Sequence, residues 1–204
     1  MRWRTIDKSQ AVQPKGVYSD WKPALAEEAK HQCVYCCISD AHFGGLRNFH
    51  VEHYRPKSKR KDLEHTYSNL FYACGICNTF KGDDWPDEPG KDDRFEYIHY
   101  PDPSLTNYSH LFSVDVMTAE VSGRNVTAKY LVEKLHLNRA QILRNRKLLI
   151  LSDQLTGLMD ELSEASKAVE NLDHCKSLME FMRQIAELFR DLLHAVPYES
   201  AEMR

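Results

Sequence analysis

No apolar run in this sequence approaches the roughly 20 residues that a membrane-spanning helix requires. Internal repeats and low-complexity tracts are also missing, which excludes solenoid arrays and compositionally biased linkers. The first eighteen residues, MRWRTIDKSQAVQPKGVY, contain no apolar core of the kind a secretory signal needs. A cytoplasmic protein is therefore expected. Nor is there a large excess of either charge. A net charge of −3 over 204 residues does not advertise a nucleic-acid binder by bulk electrostatics. What a core needs is not lacking: 42% hydrophobic and 28% charged residues are close to globular averages and argue against wholesale disorder. That length suits one ordinary domain, or a small module with a helical companion.

The charge that is present is uneven. Arg47, Arg55, Lys57, Lys59, Arg60 and Lys61 face a single acid, Glu52, between positions 47 and 61. Six acids against Lys91 crowd positions 83–93. Both runs read first as solvated loops, but a local basic cluster suffices to engage phosphates. Four of the six cysteines form two Cys-x-x-Cys pairs, Cys33/Cys36 and Cys74/Cys77. In a chain without a secretory leader, metal or redox chemistry is a better reading than disulfides. Neither pair follows the strand–helix–strand pattern of a thioredoxin-like site. Two pairs in one small module fit four thiolate ligands around a structural zinc, with no coordination position left open for catalysis. Cys175 falls at an apolar helical position and reads as core packing.

A coarse reading of elements gives an α+β chain. Residues 1–31 form an arm and a helix capped at Ser19-Asp20, with Pro23 in its first turn. Residues 32–98 form the cysteine module. Within it, Asn48–Tyr54 reads as a strand, Thr66 or Ser68 starts a helical turn reaching Cys74, and a short helix follows Cys77 until Gly82. Residues 99–204 hold loops, a hairpin around LFSVDVMTAEVSGRN and a helical region. In that region Asn125 or Thr127 caps one helix and Asn138 a long second one. Leu148, Leu151, Leu155, Leu158 and Leu162 step by threes and fours, as do Ala168, Leu172, Cys175, Met179, Met182, Ala186, Phe189 and Leu193. Ser163–Ser166 is either the turn between two antiparallel helices or part of one long helix. Such a seam reads as a packed hairpin, or as a docking surface for a partner.

Between the two cysteine pairs lie Glu52-His53 and Asn69; Asn78 follows Cys77 directly, and Lys81 comes three residues later. On a strand Glu52 and His53 point to opposite faces, so a turn or bulge is expected to bring both to one site. The order Cys-x-x-Cys, acid-His, Asn, Cys-x-x-Cys-Asn-x-x-Lys resembles the HNH, or ββα-metal, endonucleases in their zinc-stapled branch, over about residues 30–86. The resemblance implies a small treble-clef-like module that hydrolyses DNA phosphodiesters, by nicking or by cutting both strands. His53 would be the general base. Glu52 and Asn78 would be ligands of a catalytic Mg²⁺ or Mn²⁺, with Cys33, Cys36, Cys74 and Cys77 on structural Zn²⁺. Asn69 would pin the loop bearing His53, and Lys81 would meet the phosphate. Arg55, Lys57 and Lys59 would grip the nucleic-acid backbone. The acid is Glu where Asp is usual, and the third position is Asn rather than His. A narrower similarity, carried by HVEHYRPKSK, YSNLFYACGICNTFKGD, LHLNR and the ending VPYESAEMR, is to small HNH subunits of Septu-type or retron-linked anti-phage cassettes. It implies an ATPase partner docked on the helical tail. The competing reading is a zinc-stapled nucleic-acid or protein-binding module without catalysis; a structural adaptor built on the helical hairpin leaves the first half of the chain unexplained.

Overall fold

The computed structural model describes residues 3–8, 16–86, 98–167 and 172–194. Most of the acidic run at 83–93, Ala168 and the ending Val196–Arg204 lie outside the described residues. The chain is α+β and forms two compact units. The first comprises residues 1–115 and 120–142, the second residues 116–119 and 143–204. The first unit therefore contains the cysteine module and the hairpin and helix that follow it.

In the first unit, α1 (Lys22–Glu28) follows a 3-10 turn at Tyr18–Trp21 and carries Pro23 in its first turn, where the missing N–H costs nothing. Trp21, Leu25 and Ala26 bury its inner face. The segment before it is more than a loose arm. Trp3 and Ile6 are buried, and the Trp3 indole N–H donates to the Tyr35 carbonyl at 2.8 Å. β1 (Phe49–His53) and β2 (Leu70–Cys74) pair antiparallel in the register Phe49↔Cys74 to His53↔Leu70. The helical turn expected from Thr66 to Cys74 is thus corrected: only Tyr67–Asn69 turn, and a strand follows. LFYAC is buried at every position, so it shows no alternation by which a strand could be told from a helix.

α2 (Gly75–Lys81) starts at once from the end of β2. The Cys74 sulfur caps it by accepting from the Cys77 N–H at 3.4 Å. Gly82, at φ +53°, ends it in a left-handed turn that an L side chain rarely adopts. Further on, β3 (Phe112–Val114) and β4 (Val121–Gly123) form the expected hairpin. Asn125 caps α3 (Val126–Lys134) by accepting from the Ala128 N–H at 2.8 Å. Asn138 stands two residues before the next helix. Its amide bonds both the N–H and the C=O of Val121, at 2.7 and 2.9 Å, and so fastens the start of the helical region to β4.

In the second unit, α4 (Ala140–Lys167) begins in the first unit and runs on through Ser163–Ser166, so no turn falls there. α5 is Leu172–His194. The two face each other across a groove lined by Gln154, Leu158 and Glu161 on α4 and by Gln184, Leu188 and Asp191 on α5. The α4 part of the regular apolar seam does reach the groove through Leu158, but the α5 part does not pack there: Met179, Met182 and Phe189 are exposed, and Cys175 is only half-buried rather than in the core.

Candidate active site and metal centre

Two sites are built on the same β1–β2–α2 frame. The first is a sulfur cluster. Cys33 and Cys36 lie on the turns after α1, Cys74 ends β2, and Cys77 sits in the first turn of α2. All four are buried and their sulfur atoms lie within 4.8 Å of one another. A tetrahedron with Zn–S bonds of about 2.3 Å has edges of about 3.8 Å, and Cys36 and Cys74 are 3.8 Å apart. The donor set and its spacing fit zinc. Burial pushes the thiols of Cys33 and Cys36 up, while hydrogen bonds from the other three sulfurs hold Cys74 down. Burial thus opposes ionisation of these sulfurs, and holding all four as thiolates would need cationic company, which a divalent ion supplies.

The second site is a cavity of about 250 Å³ bounded by Glu52, His53, Pro56, Lys57, Ser58, Asn78, Gly82 and Asp83. Glu52, His53 and Asn78 thus share one wall system. No bulge is needed to bring them there, which corrects the expectation of one: β1 pairs residue by residue to His53. Glu52 points inward under α2, and His53 closes the strand at the cavity edge.

Glu52 and Lys81 form a buried ion pair with Oε1 and Nζ 2.7 Å apart and side-chain exposures of 3% and 0%. The Tyr35 hydroxyl donates to the same oxygen at 3.2 Å. Burial pushes the Glu52 carboxyl above the usual carboxylate range, against the pull of Lys81 and Tyr35. The second oxygen, Oε2, is engaged by neither donor. Lys81 also donates to the His53 carbonyl at 3.0 Å and lies 5.3 Å from the Tyr100 ring centre. The structure corrects the placement of Lys81 as a phosphate contact. It is sealed beneath the site because a buried carboxylate demands a partner. Replacing Lys81 with Met is expected to lower unfolding free energy by about 3–5 kcal/mol, since the Glu52 charge would be left uncompensated. Urea denaturation of the zinc-replete protein measures this, and a loss under about 1 kcal/mol would contradict it.

His53 Nε2 lies 3.1 Å from the Glu64 carbonyl oxygen. A carbonyl only accepts, so Nε2 carries the proton and Nδ1 holds the lone pair. Burial lowers the His53 pKa, against the Glu64 hydrogen bond. The ring is therefore neutral at pH 7. Tyr18 meets it edge-on, with ring centres 4.7 Å apart.

Asn69 is buried and spans the loop after β1. Its Oδ1 accepts from the Arg55 N–H at 2.9 Å, and its Nδ2 donates to the Arg55 and Leu63 carbonyls at 3.1 and 3.4 Å. It fixes the backbone that leaves His53 and does not line the cavity. Of the basic residues, Lys57 lines the cavity and donates to the Tyr18 hydroxyl at 3.1 Å. Lys59 is exposed and donates to the Trp85 carbonyl at 3.0 Å, while the Arg55 guanidinium lies 6.0 Å from the Trp85 ring centre. Sequence reasoning missed Tyr35, Tyr18, Trp85 and Arg139. Nothing in their spacing marks them; only the pairing of β1 with β2 and the cysteine cluster bring them in.

Residues 33–84, about a quarter of the chain, match the family model described as HNH endonuclease. The match spans both cysteine pairs, Glu52-His53, Asn69 and Asn78. No curated protein and no solved structure matches the chain. No helix among the described residues is long and apolar enough to cross a membrane.

Proposed function

We propose that the chain is a divalent-metal-dependent HNH endonuclease that hydrolyses DNA phosphodiesters. The observation that carries this reading is one cavity holding a neutral imidazole with a defined tautomer, a carboxylate and a side-chain amide, within a segment matching that family.

His53 accepts the proton of the attacking water at Nδ1 while Nε2–H stays on the Glu64 carbonyl. Lys81 and Tyr35 hold Oε1 of Glu52, leaving Oε2 for a hard cation; Asn78 contributes its amide oxygen. Oxygen donors without sulfur suit Mg²⁺ or Mn²⁺. Such an ion, when bound, stabilises charge on the phosphate and the leaving 3′ oxygen. Lys57 stands at the cavity rim where a scissile phosphate enters, and Arg55 and Lys59 flank it for neighbouring phosphates. Asn69 keeps the loop after His53 in place.

The finer reading is a cytoplasmic nuclease subunit of an anti-phage complex with an ATPase partner. It is supported by the narrower sequence similarity and by the outward apolar face of α5. The competing reading, a zinc-stapled binding module, has no use for the His53 tautomer or the Glu52–Lys81–Tyr35 network.

The test is incubation of zinc-replete protein with supercoiled plasmid, with and without added Mg²⁺ or Mn²⁺. Relaxed or linear product only with added metal supports the nuclease. DNA binding without cleavage under every metal, including in the presence of its isolated native partners, favours the binding module.

A further inference from the structure

Arg139 lies between α3 and α4, sixty-two residues beyond Cys77, and its two guanidinium arms do different things. Nη1 donates to the Leu135 and His136 carbonyls at 3.0 and 3.3 Å, closing the C-terminal end of α3. Nη2 lies 3.8, 3.6 and 3.5 Å from the sulfurs of Cys36, Cys74 and Cys77. The flat of the guanidinium lies 5.9 Å from the Phe80 ring centre, and His136 packs on the same ring at 4.4 Å. One cation thus reaches three of four candidate zinc ligands from outside the segment that supplies them.

Zinc with four thiolates carries a formal charge of −2 in a core of buried residues. An adjacent guanidinium removes half of that excess and donates N–H bonds to the sulfurs. Bonds of this kind tune ligand basicity and metal retention, and their loss typically costs about 10–100-fold in metal affinity. Lysine would not serve as well, because only the planar fork can cap α3 with one arm and meet the sulfurs with the other.

We propose that Arg139 is a positioning and charge-compensating residue of the zinc–thiolate centre, and that it ties the α3–α4 junction to the metal. The cysteine module then does not hold its zinc alone: a residue outside the HNH-matched segment sets how firmly the ion is kept. This rests on the zinc reading of the four cysteines and not on the nuclease reading of the cavity.

The test uses the full chain, Arg139→Gln and Arg139→Lys, each loaded with Zn²⁺ or Co²⁺. Zinc transfer to a chromogenic chelator is expected to be about 10–100-fold faster in Arg139→Gln, with a smaller effect in Arg139→Lys. In the Co²⁺ forms, loss of the cation and its N–H bonds raises the energy of the sulfur electrons. The thiolate-to-cobalt charge-transfer band is then expected to move to longer wavelength in Arg139→Gln. A variant that only lost its α3 cap would release zinc faster yet keep the wild-type band, and that result would overturn the proposal. Wild-type release rates in a folded Arg139→Gln, shown by circular dichroism, would overturn it too. Failure of any form to bind one Zn²⁺ or Co²⁺ would instead remove the zinc reading itself.

Discussion

His53→Ala is expected to lower metal-dependent DNA cleavage by about 10²–10⁴-fold, the range usual for loss of a general base. The argument starts from one hydrogen bond. The Glu64 carbonyl, 3.1 Å from Nε2, forces the proton onto that nitrogen and leaves Nδ1 as the basic atom. Burial then lowers the pKa, so the base form is populated without raising the pH. The sign follows directly. With His53 in the proposed general-base role, cleavage needs the neutral ring, so the rate is expected to fall as pH drops through the His53 pKa and to be level above it. The midpoint should lie below the ordinary histidine value of about 6.5, with the rate falling tenfold per pH unit beneath it. Rates are to be compared at saturating metal, with zinc content and DNA affinity measured on the same preparations. The edge contact with Tyr18 and the bond to Glu64 make some loss of stability in the variant unavoidable, which is why those two controls matter. Equal cutting by variant and wild type would remove His53 from the chemistry. A midpoint above the ordinary value would mean that a different group titrates.

Which residues meet at the cysteine cluster and the cavity was more legible in the sequence than the scaffold was. Cysteine pairs, Glu52-His53, Asn69 and Asn78 are residue types with few uses, and their order survives any uncertainty about what lies between. The second strand was hidden because LFYAC is buried on both faces and has no period to read. Lys81 was misplaced for a related reason. Spacing puts it one helical turn past Asn78 but does not say whether that turn faces solvent or the buried Glu52. The apolar seam on α5 was read as packing, since a stripe at steps of three and four normally meets its neighbour. Instead Gln184, Leu188 and Asp191 turn toward α4, and Met179, Met182 and Phe189 turn outward. A periodic pattern reveals that a face exists, not what covers it. Tyr35 and Arg139 are the clearest omissions. Each acts on a residue at least seventeen positions away, through contacts that exist only once the sheet and the cysteine cluster have formed.

Removal of zinc is expected to dismantle the β1–β2–α2 frame, and with it the cavity. α2 has seven residues, well under the 12–15 at which an isolated helix is even marginal. β1 and β2 have five each and make a two-stranded sheet, which is marginal by itself in water. What fastens them is the cluster: Cys74 joins β2 to α2, Cys77 anchors the first turn of α2, and Cys33 and Cys36 tie both to the chain after α1. Structural zinc contributes on the order of 10–16 kcal/mol in small modules, as much as the whole stability of an ordinary domain, about 5–15 kcal/mol. Once the ion is gone, the frame is left to the packing of its buried side chains. Amide hydrogen exchange on protein with and without a tight zinc chelator reads the outcome segment by segment. Protection should be lost together across Phe49–His53, Leu70–Cys74 and Gly75–Lys81, and cleavage should stop and stay lost when Mg²⁺ is added without Zn²⁺. Restoring zinc should bring back both. Intact protection in a protein shown by elemental analysis to be free of zinc would mean that the aromatic packing around Phe49, Tyr72 and Tyr35 holds the frame unaided. The four thiols would then be a core that merely tolerates a metal.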